Sequence, residues 1–212
     1  MSATALSATD LCCRRGDRWL FHGLSLSLAR GDALHIRGPN GFGKSSLIRM
    51  LAGLLPPSPS PQTGHIGRVD WAGPVALIDE RHGLDAALPL GRALAFWARI
   101  DAPLPDGTLE RLGLARLLDV PVRYLSTGQK KRAALARIIG QRAPNWLLDE
   151  PLNGLDTAAC AQVEALITEH RAAGGVVVAI SHQPITIPGA SVVDLGRAPR
   201  QFSAAQWAEV AA

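Results

Sequence analysis

Nine consecutive residues, Gly38-Pro39-Asn40-Gly41-Phe42-Gly43-Lys44-Ser45-Ser46, constrain this chain more than any other stretch. They follow a strand-like segment, Ala33 to Ile36, and open a helical one, Ser45 to Leu55. That context is what the pattern G-x-x-x-x-G-K-[ST] requires before it carries chemistry. The glycines let successive backbone N–H groups turn inward as an anion cradle, and the helix adds the positive end of its dipole. In such a loop Lys44 reaches the β- and γ-phosphates, and the Ser45 hydroxyl completes the shell of a Mg²⁺ ion. Roughly a few chains per thousand of this composition would match by accident. The reading is a nucleoside triphosphate site.

The 212 residues suit one large domain or two small ones sharing a core. A chain 47% hydrophobic and 19% charged is ordinary for a soluble globular protein. The net charge of +4 comes mostly from scattered arginines. The one basic cluster, Lys130-Lys131-Arg132, is too small to indicate nucleic acid without interleaved aromatics. A basic face toward anionic lipid or ATP explains the sign equally well. Cys12, Cys13 and Cys160 have no metal or redox spacing, and packing in a reducing compartment accounts for them. Cys12 and Cys13, adjacent on a strand, should point to opposite faces. No apolar run approaches the ~20 residues of a spanning helix, and the N-terminus lacks a signal pattern. The chain is expected to be soluble and to meet a membrane only through a partner.

Leu6 to Leu28 reads as two strands around a turn at Arg15-Gly16-Asp17, with Leu24, Leu26 and Leu28 alternating against serines. The helix after the phosphate loop ends near Gly53, before the prolines of 56–61. Gly64 to Val69 and Gly73 to Ile78 read as short strands. From Asp85 to Tyr124 apolar residues recur at helical spacing, first Leu90, Leu94 and Trp97, then Leu109, Leu112, Leu114, Leu117 and Leu118. This predicts a small helical insertion, broken at Pro103 to Gly107. Lys130 to Ile139 is helical. Trp146 to Asp149 and Val176 to Ile180 are unalternated apolar runs, as covered parallel strands should be, with a helix over Ala158 to Ala173 between them. The tail from Val192 should add one short strand and no further domain.

A phosphate loop alone leaves kinases, GTPases, helicases and transporters open. Leu147-Leu148-Asp149-Glu150-Pro151 narrows the choice, because its carboxylates end a strand, where ligands sit in open α/β sheets. Asp149 suits the Mg²⁺ shell, and Glu150 suits a general base for the attacking water. Two acids closing an apolar strand are costly without a cation.

With Leu125-Ser126-Thr127-Gly128-Gln129 the chain resembles the ATP-binding subunits of ABC transporters, whose signature is LSGGQ. GPNGFGKSS, LSTGQ, LLDEP, a D-loop-like Leu152-Asn153-Gly154-Leu155-Asp156 and Ser181-His182 follow in the family's order over nearly the whole chain. The resemblance implies an α/β P-loop NTPase of ABC-ATPase type. Its sheet would be mainly parallel and flanked by helices, with an N-terminal antiparallel element and a small helical subdomain inserted at about 85–125 into a core of 1–84 and 126–212. It implies ATP and Mg²⁺, held by Gly38 to Ser46 and Asp149, and a head-to-tail homodimer with two ATP molecules sandwiched in it. Ser126, Thr127, Gly128 and Gln129 of one copy would face the other's phosphates, with Asp156 beside them. Glu150 and a γ-phosphate-sensing His182 are the implied catalytic pair.

The narrower resemblance is to the ATP-binding subunits of the haem export, or cytochrome c maturation, complexes. It rests on Leu20 to Leu26 leading into Ala33 to Gly38, on GKSS, on the tryptophan before LLDEP and on Ser181-His182-Gln183. It implies a peripheral subunit on the cytoplasmic face of a bacterial inner membrane, bound to integral membrane subunits. Haem would be met only through the complex, and nucleic acid not at all. Another small-substrate exporter, or a non-transport ABC ATPase acting on ribosomes or nucleic acid, is the alternative. Three positions depart from the family. The glutamine expected between Ile78 and Gly83 is replaced by Glu80 or Arg81; Arg15 stands where an aromatic usually stacks on adenine, and its guanidinium could stack instead; Phe42 replaces a small residue.

Overall fold

The computed structural model describes residues 3–196. Two 12-residue strands, β1 (Thr4–Arg15) and β2 (Arg18–Ala29), form an antiparallel hairpin. Its turn works because Gly16 takes a left-handed φ of 57°, while Arg14 bonds the Gly16 carbonyl and Asp17. β4 (Arg68–Trp71) pairs with β1, giving a three-stranded sheet ordered β2-β1-β4. The second sheet is wholly parallel: β3 (Ala33–Arg37), β5 (Val75–Ile78), β6 (Asn145–Asp149), β7 (Val176–Ile180) and β8 (Ser191–Asp194), ordered β5-β6-β7-β3-β8. Every residue of β6 and β7 is buried.

Their side chains alternate between two cores. Leu147, Val176, Val178 and Ile180 face helix α1 (Lys44–Leu51) and the antiparallel sheet. Trp146, Leu148, Val177 and Ala179 face α4 (Thr127–Gln141) and α5 (Thr157–Ala172). The insertion between β5 and α4 holds α2 (Leu90–Ile100), the single turn α3 (Thr108–Arg111) and two 3-10 turns. Its buried Leu90, Leu94, Leu112, Leu114 and Val122 belong to the same cluster as α4, so its apolar stripe is core.

Three segments differ from expectation for local reasons. The second helix of the insertion stops at Arg111, because Gly113 turns left-handed (φ 63°). α1 ends at Leu51 rather than Leu55, where Gly53 (φ 71°) closes it as Leu54 N–H donates to the Arg49 carbonyl. β4 starts at Arg68 and runs to Trp71, because Gly67 lies flat against the Asp10 backbone. Cys12 and Cys13 lie on opposite sides and are both packed, as expected: Cys13 joins the core of α1, and Cys12 is covered by the proline loop near Ser60. Residues 197–212 of the tail lie outside the described residues. Among those described, no helix is long and apolar enough to cross a membrane.

Because β6 is packed from both sides, Leu147→Ala and Leu148→Ala should each cost about 2–5 kcal/mol of stability, although they empty different cores. Urea unfolding of the two variants checks this.

Candidate nucleotide site

The loop after β3 is shaped by its neighbours as well as by its glycines. Gly38, Gly41 and Gly43 have φ of 136°, 79° and 92°. A Cβ at Gly43 would stand 3.1 Å from Leu20 Cβ and from Phe21 Cε1, so the hairpin presses directly on the loop. Gly43 begins α1 with no side-chain cap, and no acid lies in the first turn. The first amides of α1 therefore keep their donor capacity for an anion. Lys44 is buried, and its Nζ donates to the carbonyls of Gly38 (2.7 Å) and Pro39 (2.9 Å). Burial lowers its pKa, and Glu150, Asp149 and Asp194 oppose that shift.

A cleft of about 840 Å³ opens over this loop. Asn40, Gly41, Gly43, Lys44, Ser45 and Ser46 form its floor, and Arg15, Arg18 and Leu20 of the hairpin form one wall. Asp149, Glu150 and His182 line it as well, and a side-chain hydrogen bond joins Asp149 to Ser45 of the loop. Phe42, whose presence the sequence does not explain, packs against the core under α1 with the Arg18 guanidinium 5.6 Å above its ring. A second cavity of about 640 Å³, near Trp146 and His170, lies at the other end of the parallel sheet and contains none of the predicted site residues.

Asp149 closes β6 almost fully buried, and burial raises its pKa; a Ser45 hydrogen bond opposes the shift, Glu150 adds to it, and Lys131 opposes it. Glu150 adopts a left-handed φ of 50°, unusual for a residue with a Cβ. Its N–H donates to the Ile180 carbonyl (2.9 Å), and its Oε2 accepts from the His182 N–H (3.1 Å). His182 Nε2 lies 3.5 Å from Glu150 Oε1, which is buried without a hydrogen-bond partner. A carboxylate oxygen so held, beside an amide-rich loop, is placed to accept a proton from water.

The LSTGQ stretch starts α4. Ser126 Oγ accepts from Gln129 N–H (3.2 Å), and Gln129 Oε1 accepts from Ser126 N–H (2.8 Å), a reciprocal capping box. Ser126 and Thr127 are exposed, so another molecule can approach them, and Thr127 also lines the cleft of its own chain. Gly128 is buried so closely against Gly154 that a Cβ there would overlap the Gly154 carbonyl. Asp156 is not among the cleft-lining residues and caps α5 by accepting from Ala159 N–H (2.8 Å). Of the two candidates for the missing glutamine, Glu80 lines the cleft and Arg81 does not. Arg18 and His82, which the sequence does not single out, also line it, as do Lys131 and Asn153, which it marks only as part of a basic cluster and of the D-loop-like run. Only the packing of separate segments brings them together here.

The family model described as ABC transporter matches residues 21–153. The chain is 54% identical over 188 residues to the cytochrome c biogenesis ATP-binding export protein CcmA of Novosphingobium aromaticivorans, covering 88% of this chain and 93% of that protein. It is 52% identical to the protein of the same name from Sphingopyxis alaskensis, over 91% and 98% of the two chains. Among solved structures, the ADP conformation of MJ1267, an ATP-binding cassette of an ABC transporter, superposes with a TM-score of 0.66 at 22% identity, over 92% of this chain and 89% of that one. RNase-L Inhibitor superposes with a TM-score of 0.70 at 23% identity, over 86% of this chain and 35% of its own. At those identities the structures speak for the fold alone.

The electrostatics of Asp149 have a measurable consequence. Burial favours its protonated form in the folded chain, so its ionisation is a stability cost that is absent below the ordinary carboxylate range and complete above its raised pKa. The Asp149→Asn variant, without nucleotide, should therefore melt above wild type at pH 7, and the gap should close as the pH falls. Melting curves across that range check it.

Proposed function

The chain belongs to the ABC transporter family of ATP-binding proteins, and from that premise we propose that it is the ATP-hydrolysing subunit of a membrane complex acting in cytochrome c biogenesis. The observation that carries the hydrolytic part is Glu150 lining the same cleft as the glycine loop, its buried Oε1 without a hydrogen bond and 3.5 Å from His182 Nε2. In this reading Glu150 takes a proton from water as the water oxygen bonds the γ-phosphorus and the bond to the β-phosphate oxygen breaks, releasing ADP and phosphate. His182 orients Glu150 and senses the γ-phosphate. The loop from Gly38 to Ser46 and Lys44 hold the phosphates, and Arg15 and Arg18 lie where the base would enter.

Mg²⁺ fits Ser45 and Asp149. Mg²⁺ keeps several waters and takes one or two protein oxygens beside substrate phosphates, and the side chains of Ser45 and Asp149, hydrogen-bonded to each other, bring two such oxygens together. When bound, it would neutralise charge on the β- and γ-phosphates.

The second half of each site comes from another copy. The exposed Ser126 and Thr127, at a helix start whose amides can meet an anion, would close over the phosphates of a partner molecule. ATP then favours the closed homodimer, and hydrolysis removes that preference. The exposed Phe96 and Ile100 of α2 support docking of integral membrane subunits on the insertion, which would hold this chain peripherally at the cytoplasmic face of an inner membrane. Haem would be handled by the complex and not by this subunit. The similarity to the two CcmA proteins supports the pathway assignment.

Glu150→Gln should keep ATP binding, slow turnover about 10²- to 10⁴-fold and accumulate an ATP-bound dimer, read by phosphate release and light scattering. An unchanged rate would remove Glu150 from the mechanism. Affinity purification of the full chain from membranes should recover integral membrane proteins; recovery of ribosomes or nucleic acid in their place would favour a non-transport role.

A further inference from the structure

Only three of the chain's 22 basic residues are lysines, namely Lys44, Lys130 and Lys131. Lys44 lies in the glycine loop, and the other two lie in the first turns of α4. Lys130 reaches outward to the Arg123 carbonyl (3.3 Å) and is partly exposed. Lys131 is 4% exposed and points into the cleft wall, where its Nζ donates to the main-chain carbonyl of Asp149 (3.4 Å). Asp149, Glu150, Asp79 and Glu80 surround it. A buried ammonium needs such compensation, and long basic side chains on a helix usually face water instead.

The carbonyl that Lys131 grips belongs to the peptide joining Asp149 to Glu150. Glu150 is the residue in the left-handed conformation, which persists only where surrounding contacts over-determine it. Three contacts do so: Lys131 Nζ on the Asp149 carbonyl, Glu150 N–H on the Ile180 carbonyl, and His182 N–H on the Glu150 carboxylate. Two come from β7 and the residues just after it. The third comes from α4, and Lys131 lies four residues past Thr127, on the same face of that helix. Both residues line the cleft.

We infer that Lys131 is a positioning residue that sets the Asp149–Glu150 peptide and ties the aim of the Glu150 carboxylate to the seating of the helix that begins at Ser126. Engagement of the Ser126–Thr127 turn by a second copy would then be felt at the water-activating carboxylate of the same chain through one side chain. The inference rests on the reading of Glu150 as the base.

The test uses the full-length chain, with ATP turnover and ATP affinity measured separately. Lys131→Met should lower kcat about 10- to 100-fold with little change in ATP affinity, because a carboxylate displaced by about 1 Å loses rate before binding is lost. Lys131→Arg, which keeps the charge and a donor, should recover most of that rate. Adding Lys131→Met to Glu150→Gln should slow turnover no further, since a residue acting through Glu150 has nothing left to act on. Wild-type kcat in Lys131→Met, a multiplicative loss in the double variant, or parallel loss of affinity, rate and melting temperature without rescue by arginine would each overturn it. If Glu150→Gln alone fails to slow turnover, the base assignment falls first; if only the lysine variants behave as wild type, this inference falls alone.

Discussion

Strand order is the constraint on which the cleft depends. In the sequence β6-β7-β3, the strand carrying the glycine loop and the strand ending in Asp149 flank one common neighbour. All three strands are parallel, so their carboxyl ends lie abreast, where loops of open α/β sheets meet ligands. The loop of Gly38 to Lys44, the pair Asp149–Glu150 and the turn at Ser181-His182 thus share one edge, although 136 residues separate the first from the last. The two-sided burial of β6 and β7 keeps that edge from shifting.

What is assembled there is electrically uncomfortable by itself. Burial works against the charged forms of Lys44, Lys131 and Asp149 alike, and Glu150 Oε1 is enclosed without a donor. The Glu150 backbone is strained as well. Local discomfort of this kind concentrates at sites that expect a charged ligand, because a polyanion with its cation supplies the missing partners and so stabilises the folded chain.

Much of this arrangement was legible beforehand, because it is local. The glycine loop announces itself through spacing, the Leu24-Leu26-Leu28 alternation marks a strand, and Leu147-Leu148-Asp149-Glu150 marks a strand that ends in acids. Other features escaped for physical reasons. Gly113 splits what the leucine spacing joins, since φ above zero is invisible to periodicity. That Asp156, the last residue of the D-loop-like run, also caps α5 shows only in the fold. Phe42 makes sense only with Arg18 above it, and Gly128 only with Gly154 against it.

By itself the sequence determined which stretches carry phosphate and acid chemistry, because those are properties of neighbouring residues along the backbone. It also determined which strands are covered on both faces, since unbroken apolar runs leave no polar side for water. Only the tertiary structure decided that Glu80 rather than Arg81 faces the cleft and that Glu150 is held left-handed. It alone decided that Lys131 turns inward to the Asp149 carbonyl while its neighbour Lys130 turns out. Those outcomes depend on which loops are packed side by side, and that is set by long-range burial of strands and helices, which no local pattern encodes.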